Sequence, residues 1–367
     1  MQKIRGGCHC NAAFMGGSVT VATGASNNAS TTWRRLFYEF LYTQYHHVYH
    51  TQPGEIMCAI GAMESFAGVY LVERNITPHN PDIVFIEFCL NDRGSPDRML
   101  VKKANEGIVR QLKSIEKNLP DVVFVGAGSN PDGQRGPADH SLHKEIADYY
   151  GLGFIDVQSY MYKKLEERGQ KWTDITVRFL NDDTHLNDYG NQLWFEAMRD
   201  WFLEQEKLFV QQQSTGPNPF EMPKPLHSDE LQYTKLINPM KKNKMVQKEG
   251  SWQAKSQAVV PWYMDNLCVG RPGDKMTLTF TGTAVGLWAL VHQNGLKIEA
   301  KLDGKEIAGP FTHFKTHQFG KFFTMGHAME NTEHVLELEV AKPSPKLNKL
   351  EDPTAEIAYL AIAQPPK

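Results

Sequence analysis

The chain has 367 residues, 41% hydrophobic and 22% charged, with 39 basic against 42 acidic side chains and a net charge of −3. Such a composition suits a globular chain, and the length suggests two domains. No Lys/Arg cluster dominates, which argues against a nucleic-acid partner, and no run approaches the roughly 20 apolar residues of a membrane span.

Residues 1–15 lack an apolar core of signal-peptide length. As written, the chain reads as cytoplasmic; it would be secreted or periplasmic if a leader had been removed. The five cysteines, Cys8, Cys10, Cys58, Cys89 and Cys268, form no disulfide ladder. Cys8-His9-Cys10 has no second cysteine pair to complete four ligands, so no metal is expected.

In chain order, Ala12 to Met15 reads as a short buried strand. Gly16 and Gly17 break it and Ser18 follows at once. Thr31 and Thr32 then cap a helix whose stripe is Trp33, Leu36, Phe37, Phe40 and Leu41, with Arg34, Arg35 and Glu39 on the other face. Strand, glycine turn, hydroxyl and helix present a nucleophile at the carboxyl end of a strand, where ligands collect in open α/β sheets. His46, His47 and His50 read as surface or satisfied histidines. Glu55 to Ile60 is a second strand, ended by Gly61, and Met63 to Glu73 a helix. Ile83 to Phe88 is the strongest strand, a continuous apolar run suited to burial on both faces. Glu87 interrupts it and needs hydrogen-bond partners if buried.

Leu90-Asn91-Asp92 lies at the end of that strand. Met99 to Leu119 is an amphipathic helix ended by Pro120, and Val122 to Gly128 the next strand. His140 to Tyr150 is helical, Gly153 to Val157 the fifth strand, Tyr160 to Arg168 a helix, 169–186 a loop, and Asn187 to Glu204 a closing helix. Strands alternating with helices imply a three-layer αβα, flavodoxin-like domain over 1–207, with a five-stranded parallel sheet in the order 2-1-3-4-5. Residues 208–249 read as a polar, proline-rich linker. From 250 to 367 the period becomes two, in MTLTF, GLWALV, KIEAKLDG and HVLELEV, with Asp303-Gly304 marking a hairpin and Ala355 to Ala363 a last strand. This predicts a β-sandwich, jelly-roll-like in size.

A serine hydroxyl needs a base, and the base a carboxylate to orient it. Asp182-Asp183-Thr184-His185 offers both, just before the closing helix. His185 is assigned as base and Asp182 as orienter, with Asp183 second choice. The oxyanion of acyl transfer needs donors; the candidates are the Ser18 N–H, the Gly61 N–H and the Asn91 side-chain amide. No G-x-S-x-G elbow surrounds a serine, which disfavours an α/β-hydrolase.

These residues resemble the SGNH (GDSL-type) hydrolases. Gly16-Gly17-Ser18, with the trailing Gly24-Ala25-Ser26, is similar to the family's first block. Gly61 matches its second block, Cys89-Leu90-Asn91-Asp92 its third, and Asp182 with His185 its D-x-x-H. Gly17 stands where aspartate is usual and Cys89 where glycine is usual; branches with G-G-S-I-T and E-F-A-V-N-D look similar. The resemblance covers about residues 10–206. It implies ester hydrolysis through an acyl-enzyme on a Ser-His-Asp triad, with no metal or cofactor. A β-sandwich appended to such a domain looks like carbohydrate-active esterases, which points to short-chain, acetyl esters of a sugar or polysaccharide. Loops 91–98, 128–137 and 169–181 are expected to shape the pocket, with Gly17, Asp92, Arg93, Arg135 and Trp172 as pocket residues. Trp252, Trp262 and Trp288 could stack on sugars, although a core role is the preferred reading. Two other readings stay open: a lipase, thioesterase or acyltransferase on the same triad, or a non-catalytic carbohydrate-binding protein with a decayed site. The oligomeric state stays open too.

Overall fold

Strand β1 (Ala12–Gly16) is buried at every residue, as a central strand covered on both faces must be. The computed structural model describes residues 10–45, 55–116, 118–177, 182–212, 220–256, 264, 266–315, 318–345 and 350–366. Cys8, His9, His46, His47, His50 and Trp262 lie outside them. With β2 (Glu55–Ala59), β3 (Ile83–Glu87), β4 (Asp121–Gly126) and β5 (Gly153–Asp156), β1 forms a parallel sheet in the order β2-β1-β3-β4-β5. This is the topology expected from the alternation of elements. Gly16 is level with Ala59 on one side and Glu87 on the other, so these three residues mark one carboxyl edge.

The helices of this domain are α1 (Ser18–Val21), α2 (Trp33–Tyr45), α3 (Cys89–Asp92), α4 (Arg98–Lys113), α5 (Ser141–Tyr149), α6 (Val157–Glu167) and α7 (Asp188–Gln212), with shorter turns between. Asp97 caps α4 by accepting from the Leu100 N–H at 2.8 Å, and Asp156 caps α6 by accepting from the Ser159 N–H at 2.9 Å. Helix α4 stops at Lys113, short of the expected Leu119. The residue before Pro120 is steered out of helical geometry, and the Ser114 hydroxyl bonds back to the Arg110 carbonyl at 2.7 Å. The helix expected over 63–73 breaks into Ser65–Gly68, a 3-10 turn Val69–Leu71, and Val72–Asn75. Below β1, Trp33 stacks on Trp194 at 5.3 Å and meets Phe14 edge-on at 5.3 Å, which clamps α2 and α7 onto the sheet.

The chain divides into two compact units, Met1–Gly68 with Asn75–His227, and Val69–Arg74 with Ser228–Lys367. In the second unit two antiparallel sheets carry the alternating runs. One contains Val246–Glu249, Lys275–Gly282, Ile298–Leu302, Lys305–Ile307 and Thr332–Val340. The other contains Tyr233–Ile237, Gln253–Ser256, Asn266–Gly270, Ala284–Val291, Phe319–Gly326 and Ala355–Gln364. Strands Tyr233–Ile237 and Val246–Glu249 therefore come from the stretch expected as linker. These short segments become visible as strands only through pairing with Leu360–Gln364 and Lys275–Leu278. Asp303 and Gly304 both take positive φ, 53° and 75°, as a two-residue hairpin with a primed turn requires. Trp288 is a core residue, and Trp252 packs its ring where a Gly270 side chain would go.

Candidate active site

The carboxyl edge of the sheet is built first by glycine. A Cβ on Gly16 would lie 2.3 Å from Thr20 Oγ1 and 2.4 Å from the Glu87 carbonyl. One on Gly17 would lie 2.0 Å from Asn91 Oδ1. The chain can therefore turn from β1 straight into α1, with Ser18 as its first residue. Opening a helix, the Ser18 N–H has no carbonyl one turn back to receive it.

Helix α1 is only one turn long, so it needs outside support. Trp33 donates its indole N–H to the Val19 carbonyl at 3.0 Å. The Arg34 guanidinium donates to the Thr20 carbonyl at 2.5 Å and the Val21 carbonyl at 3.4 Å, and pairs with Glu55. Arg34 was expected on the solvent face of its helix; it is instead 4% exposed, and burial pulls its guanidinium down to about 10. Periodicity alone missed it because an arginine among aromatics reads as the polar side of the stripe.

The segment before α7 brings the other groups. The Ser18 hydroxyl lies 2.7 Å from His185 Nε2. On the other side of the ring, His185 Nδ1 is hydrogen-bonded to Asp182 Oδ2. Asp182 Oδ1 accepts from the His185 N–H at 3.0 Å, the Thr184 N–H at 2.8 Å and the Thr184 hydroxyl at 2.8 Å. Burial pushes the Asp182 carboxyl up, but these donors outweigh it and hold it at about 2. Asp183 turns away: its carboxylate accepts from Asn130 at 3.1 Å, and its carbonyl accepts from the Asn130 N–H and the Trp172 indole, both at 2.9 Å.

Asn91 sits in α3 with its carboxamide filling the space beside Gly17. The Ile60 N–H donates to the Gly16 carbonyl at 3.1 Å, which sets the next residue, Gly61, at the same edge. Gly61 is exposed, and a Cβ there would meet nothing within 4 Å. Ser18, Gly61 and Asn91 thus follow the ends of neighbouring strands along one carboxyl edge.

Two expected pocket residues are placed elsewhere. Asp92 is fully buried, accepting from the Ser65 N–H at 2.8 Å and from Asn105 at 2.9 Å, with His143 Nε2 3.1 Å away. It joins α3 to α4 and α5 rather than facing substrate. Trp172 is 4% exposed and packs on Gly128 and Tyr162, so its role is to hold the Asp183 carbonyl. Arg93 does reach the 128–137 loop, donating to Ser129 Oγ at 2.9 Å and the Gly136 carbonyl at 3.3 Å; Arg135 is exposed on that loop. Asp188, which sequence reasoning did not single out, pins the loop after α1. It accepts from the Ser26 N–H at 2.7 Å, the Ser26 hydroxyl at 2.5 Å and the Thr31 hydroxyl at 2.8 Å.

Residues 14–193 match the model of the GDSL-like Lipase/Acylhydrolase family. No curated protein matches the sequence. Two crystal structures of a two-domain esterase (CEX) active on acetylated mannans share the fold. One, co-crystallized with mannopentaose, is 21% identical with a TM-score of 0.80, covering 100% of this chain and 94% of that one. The other is 20% identical with a TM-score of 0.81, covering 98% and 92%.

Proposed function

We propose that this chain, whose residues 14–193 match the model of the GDSL-like Lipase/Acylhydrolase family, is a serine esterase removing short acyl groups, acetyl above all, from carbohydrate. Ser18 is the nucleophile, His185 the base and Asp182 the orienting carboxylate. The observation that carries this reading is the 2.7 Å contact between the Ser18 hydroxyl and His185 Nε2, with Nδ1 engaged by Asp182.

In the first step His185 Nε2 takes the hydroxyl proton as Ser18 Oγ attacks the ester carbonyl. The Ser18 N–H, the Gly61 N–H and the Asn91 amide receive the oxyanion. His185 returns the proton to the departing alcohol, leaving an acyl-serine. It then activates water, which releases the acid and regenerates Ser18. Asp182 stays ionised throughout, since its donors hold it near 2, and it stabilises the imidazolium formed in each half-reaction.

The fold likeness to an esterase active on acetylated mannans directs the choice of substrate. Wild type and Ser18→Ala should be compared on p-nitrophenyl acetate, and acetate release followed across acetylated glycans with acetylated mannan at the head. Wild type alone should release acetate. Equal rates for Ser18→Ala would remove Ser18 from the chemistry. A chain-length series peaking at octanoyl or longer would favour a lipase or thioesterase.

A further inference from the structure

We propose that Glu87 is a positioning residue for the esterase reaction: its carboxylate ties together the two turns that carry Ser18 and Asn91. The proposal rests on the serine-esterase reading and concerns a group that touches neither substrate nor nucleophile.

Glu87 closes β3 level with Gly16, at 1% exposure. From the nucleophile side its carboxylate accepts from the Thr20 hydroxyl of α1 at 3.1 Å, and the N–H of Gly17, the residue before Ser18, favours its ionised form. From the other side, on α3, the N–H of Leu90, the residue before Asn91, favours the ionised form as well. Gly16 makes the first contact possible, because a side chain there would fall on Thr20 Oγ1. The Cys89 thiol lies 3.8 Å from Oε1. Burial pushes that thiol well above its ordinary range, so it stays a donor. One carboxylate therefore sets the spacing between two of the three oxyanion donors. A misplacement of about an ångström at such donors costs roughly a hundredfold in rate.

The arrangement fits the ionised form. On protonation one oxygen becomes a donor and faces an N–H or O–H that already donates, so the joint loosens. Burial pushes the Glu87 carboxyl up to about 7. Bonds from Thr20, Gly17 and Leu90 oppose that rise and the Asp92 charge adds to it. Among the described residues, the titratable groups facing it are Cys89 and Asp92, both on α3; the residue before α1 presents the Gly17 N–H and α1 the Thr20 hydroxyl.

The test is the pH profile of kcat/KM on p-nitrophenyl acetate for wild type, Glu87→Gln, Thr20→Val and Ser18→Ala. Glu87→Gln permanently mimics the protonated acid. Its kcat should fall about 10- to 100-fold at high pH with KM within about threefold. The ratio of wild type to Glu87→Gln should shrink toward unity below about pH 5 and reach its full value above about pH 8. Thr20→Val removes a donor to the ionised form and should move the wild-type acid limb to higher pH. A merely structural role predicts a ratio that does not vary with pH. That result, or an unchanged kcat in folded Glu87→Gln, overturns the proposal while an inactive Ser18→Ala leaves the esterase reading intact. Should Glu87→Gln fail to fold, an unmoved acid limb in Thr20→Val overturns it instead. Activity retained in Ser18→Ala would sink the esterase reading itself, and this proposal with it.

Discussion

Asp182→Asn isolates the orienting group with little change of shape. In the wild type, Asp182 Oδ1 receives the His185 N–H, the Thr184 N–H and the Thr184 hydroxyl, and Oδ2 receives the ring. An asparagine keeps Oδ1 and those three bonds. Its amide nitrogen, in place of Oδ2, can only donate toward Nδ1. The imidazole must then carry its proton on Nε2, the atom 2.7 Å from Ser18 Oγ, and cannot take the hydroxyl proton. A wrong tautomer of this kind costs about 10⁴ in kcat, or about 5 kcal/mol of transition-state stabilisation. Stability should suffer far less, by about 1–2 kcal/mol, since one charge-assisted bond is lost. That contribution has a sign in pH. With its folded value depressed to about 2 against an ordinary 3.8, Asp182 stabilises the fold above the ordinary value and loses the effect as pH falls toward 2. The melting temperatures of wild type and Asp182→Asn should therefore converge in acid. The assay is steady-state hydrolysis of p-nitrophenyl acetate from pH 5 to 9, about two units either side of neutrality, with melting followed by circular dichroism. Asp183→Asn is the control and should change kcat by no more than about twofold, since its carboxylate bonds to Asn130. A folded Asp182→Asn within tenfold of wild type, alongside an inactive Ser18→Ala, would refute the tautomer argument.

Gly17→Ala puts a Cβ 2.0 Å from Asn91 Oδ1 and must push the carboxamide aside, so kcat should drop about 10²- to 10³-fold. Fluorophosphonate labelling of Ser18 should persist, and an unchanged kcat would show that the carboxamide is not an oxyanion donor. Asp188→Ala removes three bonds between the start of α7 and the loop after α1, and should lower stability by about 2–3 kcal/mol, read from denaturant melts; a loss under about half a kcal/mol would contradict the tether. Glu87 has the opposite linkage to Asp182. Its folded value, raised by burial from 4.5 to about 7, means that its contribution is complete below 4.5 and lost as pH rises through 7, by up to about 3 kcal/mol. Wild type should lose stability relative to Glu87→Gln across that window, and a difference that stays flat with pH would count against it.

Much of the candidate site was legible because its signals are local. A strand ended by Gly16-Gly17 before Ser18, and D-x-x-H before a helix, are short patterns whose geometry the backbone enforces over a few residues. The alternating runs of the second unit and the Asp303-Gly304 turn are equally local. Asp92 and Trp172 were misplaced for the converse reason. A polar or aromatic side chain beside a site residue looks like lining until the partners that bury it, Ser65, Asn105 and His143 for Asp92 and Gly128 for Trp172, come in from distant parts of the chain. Strand Tyr233–Ile237 was hidden because its identity depends on Leu360–Gln364 beside it.

The order of the parallel strands, the switch to period-two strands, and the presence of a hydroxyl, an imidazole and a carboxylate at strand ends and a facing loop were legible in the residues alone. Periodicity and turn chemistry act between near neighbours, and those features need nothing more. The tertiary structure alone decided that Ser18 and His185, 167 residues apart, stand 2.7 Å from each other. It also decided that Arg34 turns inward to hold α1 and that Glu87 lies between Thr20 of α1 and Cys89 of α3. Those outcomes follow from the need of every buried polar group to find a partner, and which partner comes within reach depends on how the whole sheet is stacked.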